Sequence, residues 1–225
     1  MLVKDWMSKK VITVDVEASM QDAMGLMKQN NVRRLPVMKK EKLVGIVTDR
    51  DLRSASASDA TSLEVHELLY LVRKIKVQKI MTKNPITIPL DYTVEEAALI
   101  FLEKKISGAP VVNRNGDVIG IITQTDLFRI LISLTGAGEK GIQFAFELED
   151  RPGSIKEITD IIREKGGQLV SILTSYDRVP AGYRNVYIRA YGINRDSISL
   201  MKIQLRDKAR MLYLIDHAQN RREVY

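Results

Sequence analysis

The chain has 225 residues, of which 45% are hydrophobic and 28% charged, enough to bury two ordinary cores and too apolar for a large disordered region. It has no cysteine, which excludes disulfides, thiolate nucleophiles and cysteine metal sites; no apolar run nears the roughly 20 residues of a membrane span, and MLVKDWMSKK is no signal peptide, so a cytoplasmic protein is expected. The net charge of +7 divides as +3 over residues 1–139 and +4 over 140–225, with only short basic groups such as Arg33-Arg34 and Arg221-Arg222, the pattern of a solvated surface.

In chain order, MSKKVITV (7–14) leads into a first strand, and Ser19-x-x-Asp22 is a capping signal for an amphipathic helix running to about Asn30. RLPVM around Pro36 and GIVT from Gly45 read as two strands, with a short helix after Thr48. SASASDATS reads as a loop, and SLEVHELLYLVRKI then places Leu63, Leu68, Leu69, Leu71 and Val72 on helical spacing, a connecting helix over 61–76. After it the same text returns. MTKNPITI (81–88) repeats MSKKVITV at an offset of 74, Thr93-x-x-Glu96 repeats the cap of a helix to about Lys105, and Pro110 repeats Pro36. GIITQTDL (120–127) repeats GIVTDRDL (45–52) at an offset of 75, the added residue falling at the Asn115-Gly116 hairpin signal. Each copy is too small to bury its own sheet, so the two copies, 1–60 and 77–135, are expected to pack together.

The repeated Thr-x-x-Asp stands where an apolar strand ends and a helix begins, a junction with free backbone N–H groups and a positive dipole end. Thr48 and Thr123 can each donate a hydroxyl to a phosphate, and Asp51 and Asp126 can each accept the two hydroxyls of a ribose. A purine then fits against the backbone around Ile12-Thr13 in one copy and Ile86-Thr87 in the other, with Pro36 and Pro110 stiffening the neighbouring strands and Gly45 and Gly120 opening the motifs. A plainer reading stands beside this one: Thr-x-x-Asp caps a helix whether or not anything binds. The copies also differ. Arg50 follows Thr48, and Arg33-Arg34 align with Ser107-Gly108, so if these arginines face the cleft the first site is expected to prefer more highly charged phosphates.

The doubled G-h-h-T-x-x-D phrase, over residues 1 to about 135, resembles the paired cystathionine-β-synthase (CBS) domains of a Bateman module. The resemblance implies a regulatory module that binds AMP, ADP, ATP or a related adenosyl compound at the positions of Thr48, Asp51, Thr123 and Asp126.

Past the glycine-containing joint LISLTGAGEKG the pattern restarts: IQFAFEL as a strand, a turn at Asp150-Arg151-Pro152-Gly153, and a helix from Ser154 with a Ser154-x-x-Glu157 capping box. QLVSILT, YRNVYIRAYGI, the helix DSISLMKIQLRDK and ARMLYLID complete a βαββαβ order, ferredoxin-like α+β architecture, over 140–218, leaving 219–225 as a tail. The Asp-Arg-Pro-Gly turn resembles the first loop of ACT domains. That resemblance implies a dimerising or amino-acid-sensing module with Asp150, Arg151, Pro152, Gly153 and Ser154 as its ligand loop, and a homodimer. The order CBS-CBS-ACT resembles the acetoin-utilisation protein B group.

RNA-recognition motifs share βαββαβ and offer the rival reading, with Tyr187 and Tyr191 as stacking platforms, but YRNVYIRAY lacks the glycine that follows the basic residue of their signature. A purely structural CBS/ACT interaction module is the other alternative. Catalysis is not expected: His66 and His217 stand apart from any metal-ligand spacing or nucleophile, there is no P-loop, and Trp6 and Tyr70 read as packing residues.

Overall fold

The two sequence repeats are built as two small sheets that exchange their leading segments. The computed structural model describes residues 1–59, 74–138 and 140–225, and the chain divides into two units, Met1–Leu127 and Phe128–Tyr225. The apolar positions predicted for the connecting helix, together with His66 and Tyr70, lie outside the described residues.

In the first unit, β1 (Val14–Asp15), β2 (Arg34–Lys39) and β3 (Lys42–Thr48) form one sheet, with β1 parallel to β2 and β2 antiparallel to β3. α1 (Val3–Trp6) precedes them, α2 (Met20–Asn30) links β1 to β2, and α3 (Asp49–Asp59) follows β3. The second repeat supplies α4 (Val77–Ile80), β4 (Thr82–Lys83), β5 (Ile88–Pro89), α5 (Val94–Glu103), β6 (Gly108–Val112), β7 (Val118–Thr123) and α6 (Gln124–Thr135). Strand β4 pairs with β3 of the first repeat rather than with its own, and Ser8 bridges Ile121 on β7.

The exchange is symmetrical. Val3 donates its N–H to Tyr92 and Val77 donates to Ala18, each at 74 residues' offset, and both valines are fully buried. Val77 belongs to the core of Val14, Met20, Leu35, Val37 and Val47. Along the sequence the two copies are expected at 1–60 and 77–135; in space residues 1–8 join the second sheet and 75–83 the first. The helices after the motifs, expected short, run for 11 and 12 residues. Nothing in QTDLFRILISLT breaks a helix, so α6 continues past the division after Leu127, upstream of the glycine joint where the boundary was expected.

The second unit contains β8 (Ile142–Glu149), α7 (Ser154–Glu164), β9 (Gln168–Ser175), β10 (Tyr183–Tyr191), α8 (Ile198–Lys208), β11 (Arg210–Asp216) and β12 (Arg221–Val224). Its sheet has the order β12-β11-β8-β10-β9, antiparallel throughout. Phe144, Phe146 and Leu148 alternate onto one face with Val186, Ile188 and Leu214, where Ile158 and Ile162 of α7 and Met201 and Leu205 of α8 close the core. The segment expected as a tail holds β12, which covers the β11 edge and leaves β9 as the other edge.

Candidate functional site

Each Thr-x-x-Asp forms a reciprocal cap on the helix that follows. Thr48 donates its N–H and its hydroxyl to Asp51 Oδ2, at 2.8 and 2.7 Å, and its Oγ1 accepts the Asp51 N–H at 3.3 Å. Thr123 and Asp126 repeat this with 2.9, 2.7 and 3.4 Å. The same geometry occurs at Ser19–Asp22, where the two bonds from serine hold the Asp22 carboxyl below its usual range. The capping role is therefore present in full, and it engages Oδ2 in both motifs. Asp51 is half-buried and Asp126 buried.

The strand register brings further predicted residues to these junctions. Arg34 stands opposite Thr48, Pro36 opposite Ile46, Gly108 opposite Thr123 and Pro110 opposite Ile121. Ile12 packs at the margin of the first core, Thr13 is exposed, and Thr87 is half-buried beside an exposed Ile86, each pair immediately before the strand parallel to β2 or β6. Gly45 and Gly120 serve packing. A Cβ on Gly45 would lie 2.4 Å from Met81 Sδ, and one on Gly120 would lie 2.3 Å from Met7 Sδ, so each glycine is the seat of a methionine delivered by the exchanged segment.

Arg34 departs from the expectation that its charge serves the first motif. Its Nη2 donates to Ser107 Oγ at 3.0 Å, across to the second repeat, and a Cβ on Gly108 would fall 1.9 Å from its Nη1. Burial presses the guanidinium below its ordinary range, and the negative charge of Asp126 opposes that shift. The cation therefore stands with the second Thr-x-x-Asp. Gly108, its counterpart in the repeat, is what makes room for it. Sequence alignment at offset 74 paired the two positions but carried no signal that one side chain would occupy the other's place. Arg50 is exposed on α3, and exposed Arg33 lines a groove of about 560 Å³ between α2 and α3 with Met24, Lys28, Asp49 and Arg53. Asp49 of the first motif lines that groove, whereas Thr48 and Asp51 do not.

In the second unit the Asp150–Ser154 loop is closed by its own ion pairs. Arg151 donates to both oxygens of Glu157 at 2.7 and 3.0 Å and to Glu149 at 3.1 Å, and Arg184 lies 3.5 Å from Asp150. The hydrogen bonds to Arg151 hold the Glu157 carboxyl low. The expected Ser154–Glu157 capping box is not formed. Gly153 takes the N-cap position with φ +88°, so Ser154 lies inside the helix, donating to the Arg151 carbonyl and accepting from Arg184. Tyr187 is half-buried with its ring 6.5 Å from that of Tyr213, and Tyr191 is exposed. Trp6 is half-buried in α1 and His217 is exposed. Among the described residues no three His, Asp or Glu side chains converge as a metal site, and no helix is long and apolar enough to cross a membrane.

Comparison with known proteins meets this geometry. The CBS domain family matches residues 3–58 and 77–133. A CBS domain-containing protein of Dictyostelium discoideum is 37% identical over 134 residues, 59% of this chain and 92% of that protein. The CBS domain pair of protein MJ0100, solved in complex with 5-methylthioadenosine and S-adenosyl-L-methionine, has a TM-score of 0.51 and 33% identity, covering 58% of this chain and 99% of that one. An acetoin utilization protein (AcuB) from Vibrio cholerae has a TM-score of 0.51 and 27% identity, covering 61% of this chain and 95% of its own. The two matched segments coincide with the two exchanged repeats, and the chain belongs to the CBS-domain family as a tandem pair.

Proposed function

We propose that the CBS pair is a regulatory sensor of adenosyl ligands, and not a catalyst. The observation that carries this is the paired strand-to-helix junction: two Thr-x-x-Asp motifs at equivalent positions, with Arg34 reaching from the first repeat to Ser107 beside Asp126. The cap spends Oδ2 of Asp51, so a ribose is held through Oδ1. A phosphate, or the charged end of another adenosyl compound, meets the positive N-terminal end of α3 or α6; the Thr48 and Thr123 hydroxyls, which the caps engage with Asp51 and Asp126, reach it only by turning away from those carboxylates. The base lies against Ile12-Thr13 or Ile86-Thr87. With Arg34 placed as it is, the second site is the one suited to an anionic ligand such as AMP or ATP. The complex of the MJ0100 domain pair with two adenosyl compounds supports this ligand class.

The reading extends to residues 140–218 as an ACT-type, ferredoxin-like domain that pairs two copies of the chain, with an amino acid at the Asp150–Ser154 loop. The strand order β11-β8-β10-β9, the open β9 edge and the left-handed Gly153 support it.

Calorimetry with AMP, ATP, S-adenosylmethionine and methylthioadenosine tests the proposal. Asp51→Ala and Asp126→Ala each remove a cap as well as a ribose acceptor, and Asp22→Ala removes the same cap with no ribose role. We expect a ten- to hundredfold loss of affinity in the first two and none in the third. Equal affinities in all three would leave the motifs as caps only.

A further inference from the structure

The face of the second unit's sheet turned away from α7 and α8 carries a row that crosses all five strands: Ser171, Arg189, Gln143, Ile215 and Arg222. Arg189, at its centre, is only 5% exposed. Its Nε donates to the Thr135 carbonyl at 2.9 Å and its Nη2 to Gln143 Oε1 at 3.2 Å, but Nη1 is buried with no hydrogen-bond partner. Among the described residues no carboxylate lies within ion-pair distance of it. A helix C-terminal carbonyl and an amide oxygen offer partial negative charge, less than a buried guanidinium requires.

The neighbouring row places Tyr187, Ala145 and Tyr213 side by side. The Tyr213 oxygen accepts from Gln143 Nε2 at 3.3 Å, which leaves its own proton to give. His217 Nε2 lies 3.5 Å from Gln143 Oε1, and its imidazole, exposed at the surface, is held below the ordinary range by partial desolvation and by the charges of Arg189 and Arg222, which outweigh the opposing charge of Asp216. Arg189 and Arg222 supply positive charge on this face, and the Gln143 side chain joins Arg189 Nη2 to the Tyr213 hydroxyl.

We propose that this face binds a small oxyanion, the carboxylate or phosphate of a metabolite, on Arg189 Nη1 with the Tyr213 hydroxyl as second donor. The site is distinct from the Asp150–Ser154 loop, which lies past the far end of β8, about 20 Å from Gln143 at the strand's rise per residue. It does not depend on the reading of the CBS pair.

The test is calorimetry on the full chain with inorganic phosphate and, separately, succinate, which distinguishes the two anion classes. We expect at least one of them to bind with a dissociation constant of about 1 mM or below. Tyr213→Phe, which removes one hydroxyl, should weaken it about tenfold, and Arg189→Gln should abolish it while S-adenosylmethionine binding persists. If Arg189→Gln fails to fold, Tyr213→Phe decides alone. Absence of heat with either anion at roughly ten times that concentration would show that Arg189 only caps the helix. Binding unchanged in the variants, or salt-sensitive RNA binding that depends on Tyr187, would likewise overturn the proposal.

Discussion

Gly108→Ala adds one methyl group at the point where the two repeats meet. Its Cβ would stand 1.9 Å from Arg34 Nη1 and 2.9 Å from the Ile122 carbonyl oxygen, so the guanidinium must leave and the strand must shift slightly. Leaving breaks the 3.0 Å bond to Ser107. A charged hydrogen bond is worth about 1.5–3 kcal/mol, and Ser107 is exposed, so the loss is about 1–2 kcal/mol. The contact with Ile122 adds about 1 kcal/mol, because a carbonyl in a ladder cannot move as a side chain does. The first unit should lose about 2–3 kcal/mol, roughly 4–12 °C in Tm. Thermal and urea unfolding of Gly108→Ala, Arg34→Ala and the double variant separate the parts. In the Arg34→Ala background only the Ile122 contact remains, so the double variant should recover about 1–2 kcal/mol relative to the sum of the singles. Strict additivity would refute the placement of Arg34 over Gly108, and with it the assignment of its charge to the second motif.

Lys40 and Glu41 hold φ of 47° and 66° in the β2–β3 turn; Lys40→Asn with Glu41→Gly should stabilise the first unit by about 1 kcal/mol in chemical denaturation, and a destabilised pair would argue against a left-handed turn there. Burial raises the Asp216 carboxyl, but bonds from Arg195, Gln219 and Ala218 outweigh it and hold the pKa below its unfolded value. That stability is present above the ordinary carboxylate range and lost as pH falls through the folded pKa. Asp216→Asn should therefore flatten the acid limb of a stability-versus-pH curve, and an unchanged limb would remove Asp216 from the account. Deleting residues 221–225 uncovers the β11 edge and removes the 2.7 Å Lys202–Glu223 pair and the Arg206–Tyr225 stacking. Light scattering should then report greater self-association and unfolding a loss of about 1–3 kcal/mol; a variant as stable and as dispersed as the parent would make β12 dispensable.

What the sequence disclosed was whatever its own spacing encodes. The offset of 74 located both copies, the caps at Ser19 and Thr93 began helices where expected, and alternation in IQFAFEL marked the core face of β8. What stayed hidden depends on partners distant in the chain. RREV has no apolar alternation, and it becomes a strand because β11 offers an unpaired edge. Ser154-x-x-Glu157 has the capping spelling, but the glycine before it adopts a conformation that moves the helix start by one residue, and Arg151 takes the glutamate. Arg189 is one arginine among many in the sequence; only the register of five strands places it beneath Thr135 with a donor to spare.

The exchange of leading segments gives the glycines of the repeated phrase a meaning that a single repeat does not contain. Within one copy, Gly45 is followed by apolar residues and a threonine, and nothing nearby needs a residue without a side chain. The need comes from Met81, 36 positions later, just as Gly120 answers to Met7 from the opposite end of the module. Each sheet thus receives a segment and a methionine from the other copy: β4 on β3, and Ser8 on β7. Neither copy can complete its core without the other, because Val77 fills the first core and Val3 hydrogen-bonds to the backbone of the second. The two Thr-x-x-Asp junctions therefore belong to one cooperative body. Arg34, anchored opposite Thr48 and bonded beside Asp126, gives the two junctions a shared charged group. If the junctions bind ligands as proposed, one that draws this guanidinium toward either motif changes the charge seen by the other, which is the physical condition for two sites in one pair to differ in preference and to influence each other.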